Sequence, residues 1–195
     1  WIWRTVAAMK KEGIYTTISP YWPNTMTLSD QWQVPGGTNQ AAHGWLFFDE
    51  WLQAGYRAWM RSLLTETNPY TGIPLAQDPA VAILQIQNED SLLFWTVNNI
   101  KGEQRRALAK KYFAWVVNKY GTIEEAQRAW SNNRVNGDDI ASEVLEFHNL
   151  FEMTQNRTGG FKKRLDDQLQ FWTETMVRFY KEIATYLREE LGCRQ

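Results

Sequence analysis

Residues 81–90 read VAILQIQNED, an apolar run that stops abruptly on an amide and two acids, Asn88, Glu89 and Asp90. A carboxyl group at the end of such a run has two uses. It can cap the segment that follows, DSLLFWTVNN, if that segment is a helix, by accepting from the unpaired N–H groups of the first turn. Alternatively it can stand at a rim where a bound molecule reaches it and pass a proton back and forth. An amide beside it can hold a hydroxyl without competing for that proton.

The elements around the acid decide where it stands. Along a strand, residues two apart share a face, so Gln85, Gln87 and Glu89 form one set while Leu84 and Ile86 form the other. A polar face on so apolar a run suits the interior and upper rim of a closed parallel barrel, whose active sites lie at the C-terminal ends of the strands. Residues 1–12 (WIWRTVAAMKKE) have the spacing of the last turns of an amphipathic helix, with Gly13 as its stop. GIYTTIS (13–19) is β-branched and aromatic and runs into Pro20, which predicts a strand entering a loop. The irregular stretch 21–44 is far longer than an ordinary strand-to-helix connection, and long loops on compact domains tend to carry function.

A helix is predicted over 49–65, with Asp49 as its cap and Leu52, Tyr56, Trp59, Met60 and Leu63 on its inner face. With 81–87 as the second strand, the order is strand, helix, strand, which predicts parallel pairing. Beyond Glu89 the pattern reads as helical. Leu108, Tyr112, Trp115 and Val116 line one helix, Thr122 and Glu125 form a capping box for a short one, and 139–156 is weakly helical before a break at Thr158, Gly159 and Gly160. The last helix has the clearest period, through Leu165, Leu169, Trp172, Met176, Phe179, Ile183, Leu187 and Leu191 to Gly192.

Composition narrows the classes. The chain has 195 residues, 44% apolar and 22% charged, ordinary values for one globular domain. A net charge of -1, with lysines and arginines scattered along helices, leaves no basic stripe for a nucleic-acid backbone, and no apolar run is long enough to span a membrane. One cysteine, Cys193, argues against a cysteine-based zinc site, two histidines, His43 and His148, cannot build one unaided, and no cofactor is expected. The unusual feature is 11 Trp, 8 Tyr and 9 Phe, which serve core packing in any protein but also offer flat faces on which sugar rings stack.

Two strands cannot make a stable parallel sheet, which needs covered faces and neighbours at both edges. The expectation is therefore an α/β chain that forms part of a (β/α)8 barrel: residues 1–195 as a piece of one barrel domain, incomplete at both ends, with two parallel strands among many helices.

A strand ending in Asn-Glu, preceded one crossover earlier by a strand like GIYTTIS, resembles the fourth and third barrel strands of the clan A glycoside hydrolases, retaining enzymes of the cellulase and β-galactosidase kind. The stretch from NPYTG through DPAVA to NE, with YGTIEEAQRAW downstream, is similar to bacterial members of that clan over most of the chain. The resemblance implies hydrolysis of a β-linked oligo- or polysaccharide, with Glu89 as the general acid/base and Asn88 bonding the sugar 2-hydroxyl. A retaining glycosidase needs one carboxyl group that gives a proton to the departing oxygen and then takes one from water. Tyr21 and Trp22, which follow the first strand onto the same rim, and Trp95, just beyond the acid, are candidate stacking platforms, and His43 in the long loop is a candidate hydroxyl contact. His148 reads as structural, and Asp78-Pro79 as the turn into the second strand.

The resemblance also implies a second glutamate, the nucleophile, at the end of a seventh strand. Every other Glu of this chain falls in a segment read as helix, loop or turn, so the nucleophile is expected outside it. On this reading the chain needs the remainder of its own barrel, and its localisation is open, with secretion or a periplasmic site compatible. The competing class is a relative that binds glycans without cleaving them, or a helical interaction module. Metal-dependent hydrolysis has too few ligands.

Overall fold

The computed structural model describes residues 1–21 and 44–195. Helix α1 (Ile2–Lys11) carries Lys10 and Lys11 in its last turn, where cations meet the unpaired carbonyls, and the backbone then turns through Gly13 at φ 71°. Strand β1 (Thr16–Ile18) follows. Helix α2 (Glu50–Thr65) begins at Asp49, whose carboxylate accepts from the Leu52 N–H at 2.8 Å. Its buried face comprises Leu52, Gln53, Tyr56, Met60, Leu63 and Leu64.

Trp59, expected on that face, is 45% exposed instead. It sits at the edge of the stripe, where its ring N–H reaches the Pro20 carbonyl at 3.0 Å and ties α2 to the end of β1.

Strand β2 (Val81–Leu84) is set up by Asp78, which accepts from the Ala80 N–H and from Lys10, each at 2.9 Å. The two strands pair in parallel, with Thr16 opposite Val81, Thr17 opposite Ile83 and Ile18 opposite Leu84, and a register irregularity between Thr16 and Thr17. The Thr16 N–H donates to Ala80 O at 2.8 Å and the Gln85 N–H to Ile18 O at 2.9 Å, extending the ladder at both ends. Helix α2 connects the strands, and their C-terminal ends lie on one side, as the strand, helix, strand order predicts. The result is a mostly helical α/β structure whose sheet, among the described residues, has these two strands and is not closed into a barrel.

Two helical expectations are corrected. No α-helix starts after Glu89: residues 90–101 turn through one 3-10 segment, Trp95–Asn99, before α3 (Gly102–Tyr120). Helix α4 (Ile123–Ala129) is capped as expected, by Thr122 Oγ1 accepting from the Glu125 N–H at 3.2 Å. The weak helix over 139–156 is absent. Asp139 and Val144 form an antiparallel bridge, 145–149 has no regular structure, and Leu150–Thr154 is a 3-10 turn. Part of the backbone of this connection, at Glu146 and His148, is bonded from outside by side chains of α5 (Gly159–Thr185), and Asp138, Asp139 and Asn149 bond more of it locally. Arg164 donates to the carbonyls of Asn133 and Glu146, and Gln168 exchanges two hydrogen bonds with the His148 main chain.

Helix α5 starts at Gly159, and a π-helical turn, Tyr186–Glu190, carries it on towards Gly192. Gly160, expected in the break before it, lies inside the first turn against the end of α4. A Cβ there would stand 1.8 Å from the Trp130 carbonyl oxygen. Because that obstacle is backbone, Gly160→Ala is expected to cost about 2 kcal/mol or more by urea unfolding. An unchanged midpoint would mean that the α4–α5 contact is not made in solution.

The core is continuous across these elements and rich in rings. Tyr112, Phe147, Phe171 and Trp172 stack in series, with centroids 4.9 Å apart for Tyr112–Phe147 and 5.4 Å for Phe147–Trp172. Trp45, Trp130 and Trp172 are fully buried, so packing claims part of the aromatic excess.

Candidate active site

Regular strand geometry ends at Leu84, and the chain bends at Ile86 and again at Asn88 and Glu89. Tyrosine hydroxyls from three parts of the chain hold this bend. Tyr56, on α2, donates to the Ile86 carbonyl. Tyr180, on α5, donates to Gln87 Oε1 at 3.1 Å. Tyr21, just past β1, is hydrogen-bonded to the Asp90 carboxylate. Burial raises the pKa of all three phenols, and the nearby Asp90 charge raises those of Tyr21 and Tyr180 further, so each remains a protonated donor near neutral pH.

Asp90 is the anchor on the far side of the bend. It is 5% exposed, and its two oxygens accept from the Gly44 N–H at 3.0 and 2.9 Å. Gly44 itself is left-handed, at φ 65°, and a Cβ there would come within 3.0 Å of the Ile100 side chain. The turn behind Asp90 is closed by Thr96, whose hydroxyl donates to Ser91 O at 2.9 Å and accepts from Ser91 N–H at 3.1 Å.

Between these fixed points Glu89 is exposed and adopts φ 51°, a left-handed conformation uncommon for a residue with a side chain. Ser131, Asn132 and Glu143 share the sign of φ in ordinary turns, so the angle alone marks no site. What sets Glu89 apart is its position on the C-terminal rim of two parallel strands, with a carboxylate that makes no hydrogen bond or ion pair among the described residues. Asn88, half-buried beside it, likewise keeps its amide unengaged among the described residues. Since no α-helix begins here, Glu89 caps none.

The expectation that Gln85, Gln87 and Glu89 share one face fails for a simple reason: strand alternation does not survive the bend. Gln85 accepts from the Ser19 hydroxyl across the strand ends. Gln87 is buried against α5, and its Nε2 lacks a partner among the described residues. Glu89 alone of the three is exposed.

The other candidates fall out unevenly. Tyr21, expected as a stacking platform, is 1% exposed, with its ring edge-on to Tyr56 at 5.6 Å and its hydroxyl engaged, so it shapes the site from beneath. Trp22 and His43 lie outside the described residues. Trp95 opens the 3-10 turn, and its side chain is likewise outside what is described.

His148 is structural, as read, though it lies on an irregular segment and not a helix. It sits 4.0 Å from the Phe161 ring centroid with Nε2 2.9 Å from Asn133 Oδ1, and burial lowers its pKa to about 4. Among the described residues no three His, Cys, Asp or Glu side chains are grouped to hold a metal ion.

Sequence reasoning gave Gly44 and Tyr180 no part in the site, read Tyr56 as a packing residue, and named Asp90 only as the second acid at the end of the run. Tyr56 and Tyr180 look like core residues because their rings are core, and nothing in the spacing reports where a hydroxyl points. No protein-family model, curated protein or solved structure matches this chain, and the reading of the site rests on its own geometry and chemistry.

Proposed function

We propose that this chain is part of a retaining O-glycoside hydrolase for a β-linked saccharide, with Glu89 as general acid/base and Asn88 holding a sugar hydroxyl next to it. The observation that carries the reading is the rim itself: an accessible carboxylate beside an amide, both unengaged among the described residues, at the C-terminal end of parallel strands and braced from behind by tyrosine hydroxyls. That placement suits an acid that must meet a glycosidic oxygen, lose its proton to it and recover one from water. The nucleophile is assigned to a strand outside this sequence, because a retaining mechanism needs a second carboxyl group about 5 Å from the first. The exposed middle of β2 supports further strands beside it: Ile83 is 55% exposed, an apolar side chain that a closed barrel would cover.

The test follows from the division of labour. The 195-residue chain is expected to show no turnover of aryl β-glycosides, since one carboxyl group cannot both protonate the leaving group and form the glycosyl intermediate. The same chain extended through its remaining strands should hydrolyse them with retained anomeric configuration. Turnover by the short chain, free of host enzymes, would contradict the proposal. An extended barrel that binds oligosaccharide and cleaves none would make the protein a glycan-binding relative instead.

A further inference from the structure

We propose that Asp90 is the positioning residue of this site, a buried carboxylate that fixes the left-handed elbow at Glu89 by joining the segment after β2 to Gly44 and to Tyr21. The inference rests on the reading of Glu89 as acid/base but draws on separate observations. Asp90 follows Glu89 directly, so whatever holds Asp90 sets the direction in which the Glu89 side chain leaves the backbone. It is held by the Gly44 N–H, shared between its two oxygens, and by the Tyr21 hydroxyl, two contacts from chain segments on the other side of the site. Gly44 suits this use, since its left-handed φ of 65° would strain any other residue and a Cβ, 3.0 Å from the Ile100 side chain, would require that side chain to yield.

The arrangement has an energetic reason. A carboxylate taken out of water is costly unless its lone pairs are bonded, and here the bonding groups are a backbone N–H and a phenol that burial keeps protonated. On the near side, the Tyr56 bond to Ile86 O fixes the chain before the elbow, so only Asn88 and Glu89 project. A carboxyl group that must reach one glycosidic oxygen gains from this, because an error of about 1 Å in a reacting group costs on the order of 100-fold in rate.

Because both Asp90 oxygens share the Gly44 N–H, Asp90→Asn keeps the shape but sets an NH2 donor against that N–H; Tyr21→Phe removes the hydroxyl alone. In the 195-residue chain, amide NMR reads the clamp without any activity: the Gly44 N–H should be hydrogen-exchange protected in the parent and lose protection in Asp90→Asn. In the complete barrel, Asp90→Asn should lower kcat about 100-fold on substrates with poor leaving groups, with KM within about two-fold, and Tyr21→Phe about 10-fold.

The deciding measurement is the double variant. If Asp90 acts through Glu89, adding Asp90→Asn to Glu89→Ala should cost nothing further in rate. Equal losses for good and poor leaving groups, or losses that multiply in the double variant, would overturn the positioning role while leaving Glu89 its own. A Gly44 amide unchanged by Asp90→Asn would overturn the clamp itself. Should Glu89→Ala leave hydrolysis intact, the acid/base reading fails first, and the positioning role with it.

Discussion

On the proposed function, in the chain extended through its remaining strands, Glu89→Ala is expected to slow hydrolysis of alkyl and oligosaccharide substrates by about 10²–10⁴-fold while leaving the first step on activated aryl glycosides nearly untouched. An activated phenolate departs without a donated proton, whereas an alkoxide does not. The second step loses its base on every substrate, so an aryl glycoside should load the nucleophile quickly and then stall. Azide needs no deprotonation and reaches the glycosyl intermediate unaided. Added azide should therefore restore turnover and give a glycosyl azide of retained configuration. The exposed position of Glu89, free of hydrogen bonds among the described residues, bears on the control experiment, because little folded structure depends on its side chain. The variant should melt within a degree or two of the parent. Equal losses on both substrate classes, no rescue by azide and a lowered melting temperature would together mark Glu89 as a structural residue and remove the basis of the proposed function.

What could be read from the sequence divides along physical lines. Periodicity found α2 and α5, and caps found the starts of α2 and α4, because Asp49 and Thr122 act through local bonds three residues away. The parallel pair followed from element order alone. The second half of the chain was harder. Residues 139–156 contain Leu, Phe and Glu at spacings a helix would use, yet their backbone is captured by Arg164 and Gln168 from α5. No local pattern reports a bond to a residue twenty positions on. The elbow at Glu89 has the same character: VAILQIQ promises an alternating strand to its end, and it is tyrosines from distant segments that stop it at Leu84. The identity of the candidate acid was legible, while the apparatus that aims it was not, because it is made of hydroxyls on residues whose rings already account for their burial.

The second large effect concerns that irregular connection and the residue that organises it. Arg164 is 1% exposed on α5, where its guanidinium meets both oxygens of Asp138 at 2.6 and 2.7 Å and spends further donors on Asn133 O and Glu146 O at 3.0 and 2.9 Å. Asp138 accepts in addition from the Val135 and Glu146 N–H groups, each at 2.9 Å. Burial pushes the Asp138 carboxyl upward, but the Arg164 hydrogen bonds and those backbone donors prevail and hold it below the usual range. Arg164→Met fills much of the space and removes the guanidinium donors, leaving a buried carboxylate without its counter-charge and two carbonyls without these partners. The expected loss is about 3–5 kcal/mol in urea unfolding, a large part of the stability of a domain this size. Arg164→Lys keeps the charge but has no planar fork to serve two oxygens and two carbonyls at once, so it should recover only part of the loss. Hydrogen exchange separates local from global failure. If the network is what holds 131–149 to α5, the Val135 and Glu146 amides should lose protection before those of α2 do. Uniform loss across the chain would place the role of Arg164 in the core at large, and an unchanged unfolding midpoint would show that this buried pair contributes nothing net to the fold.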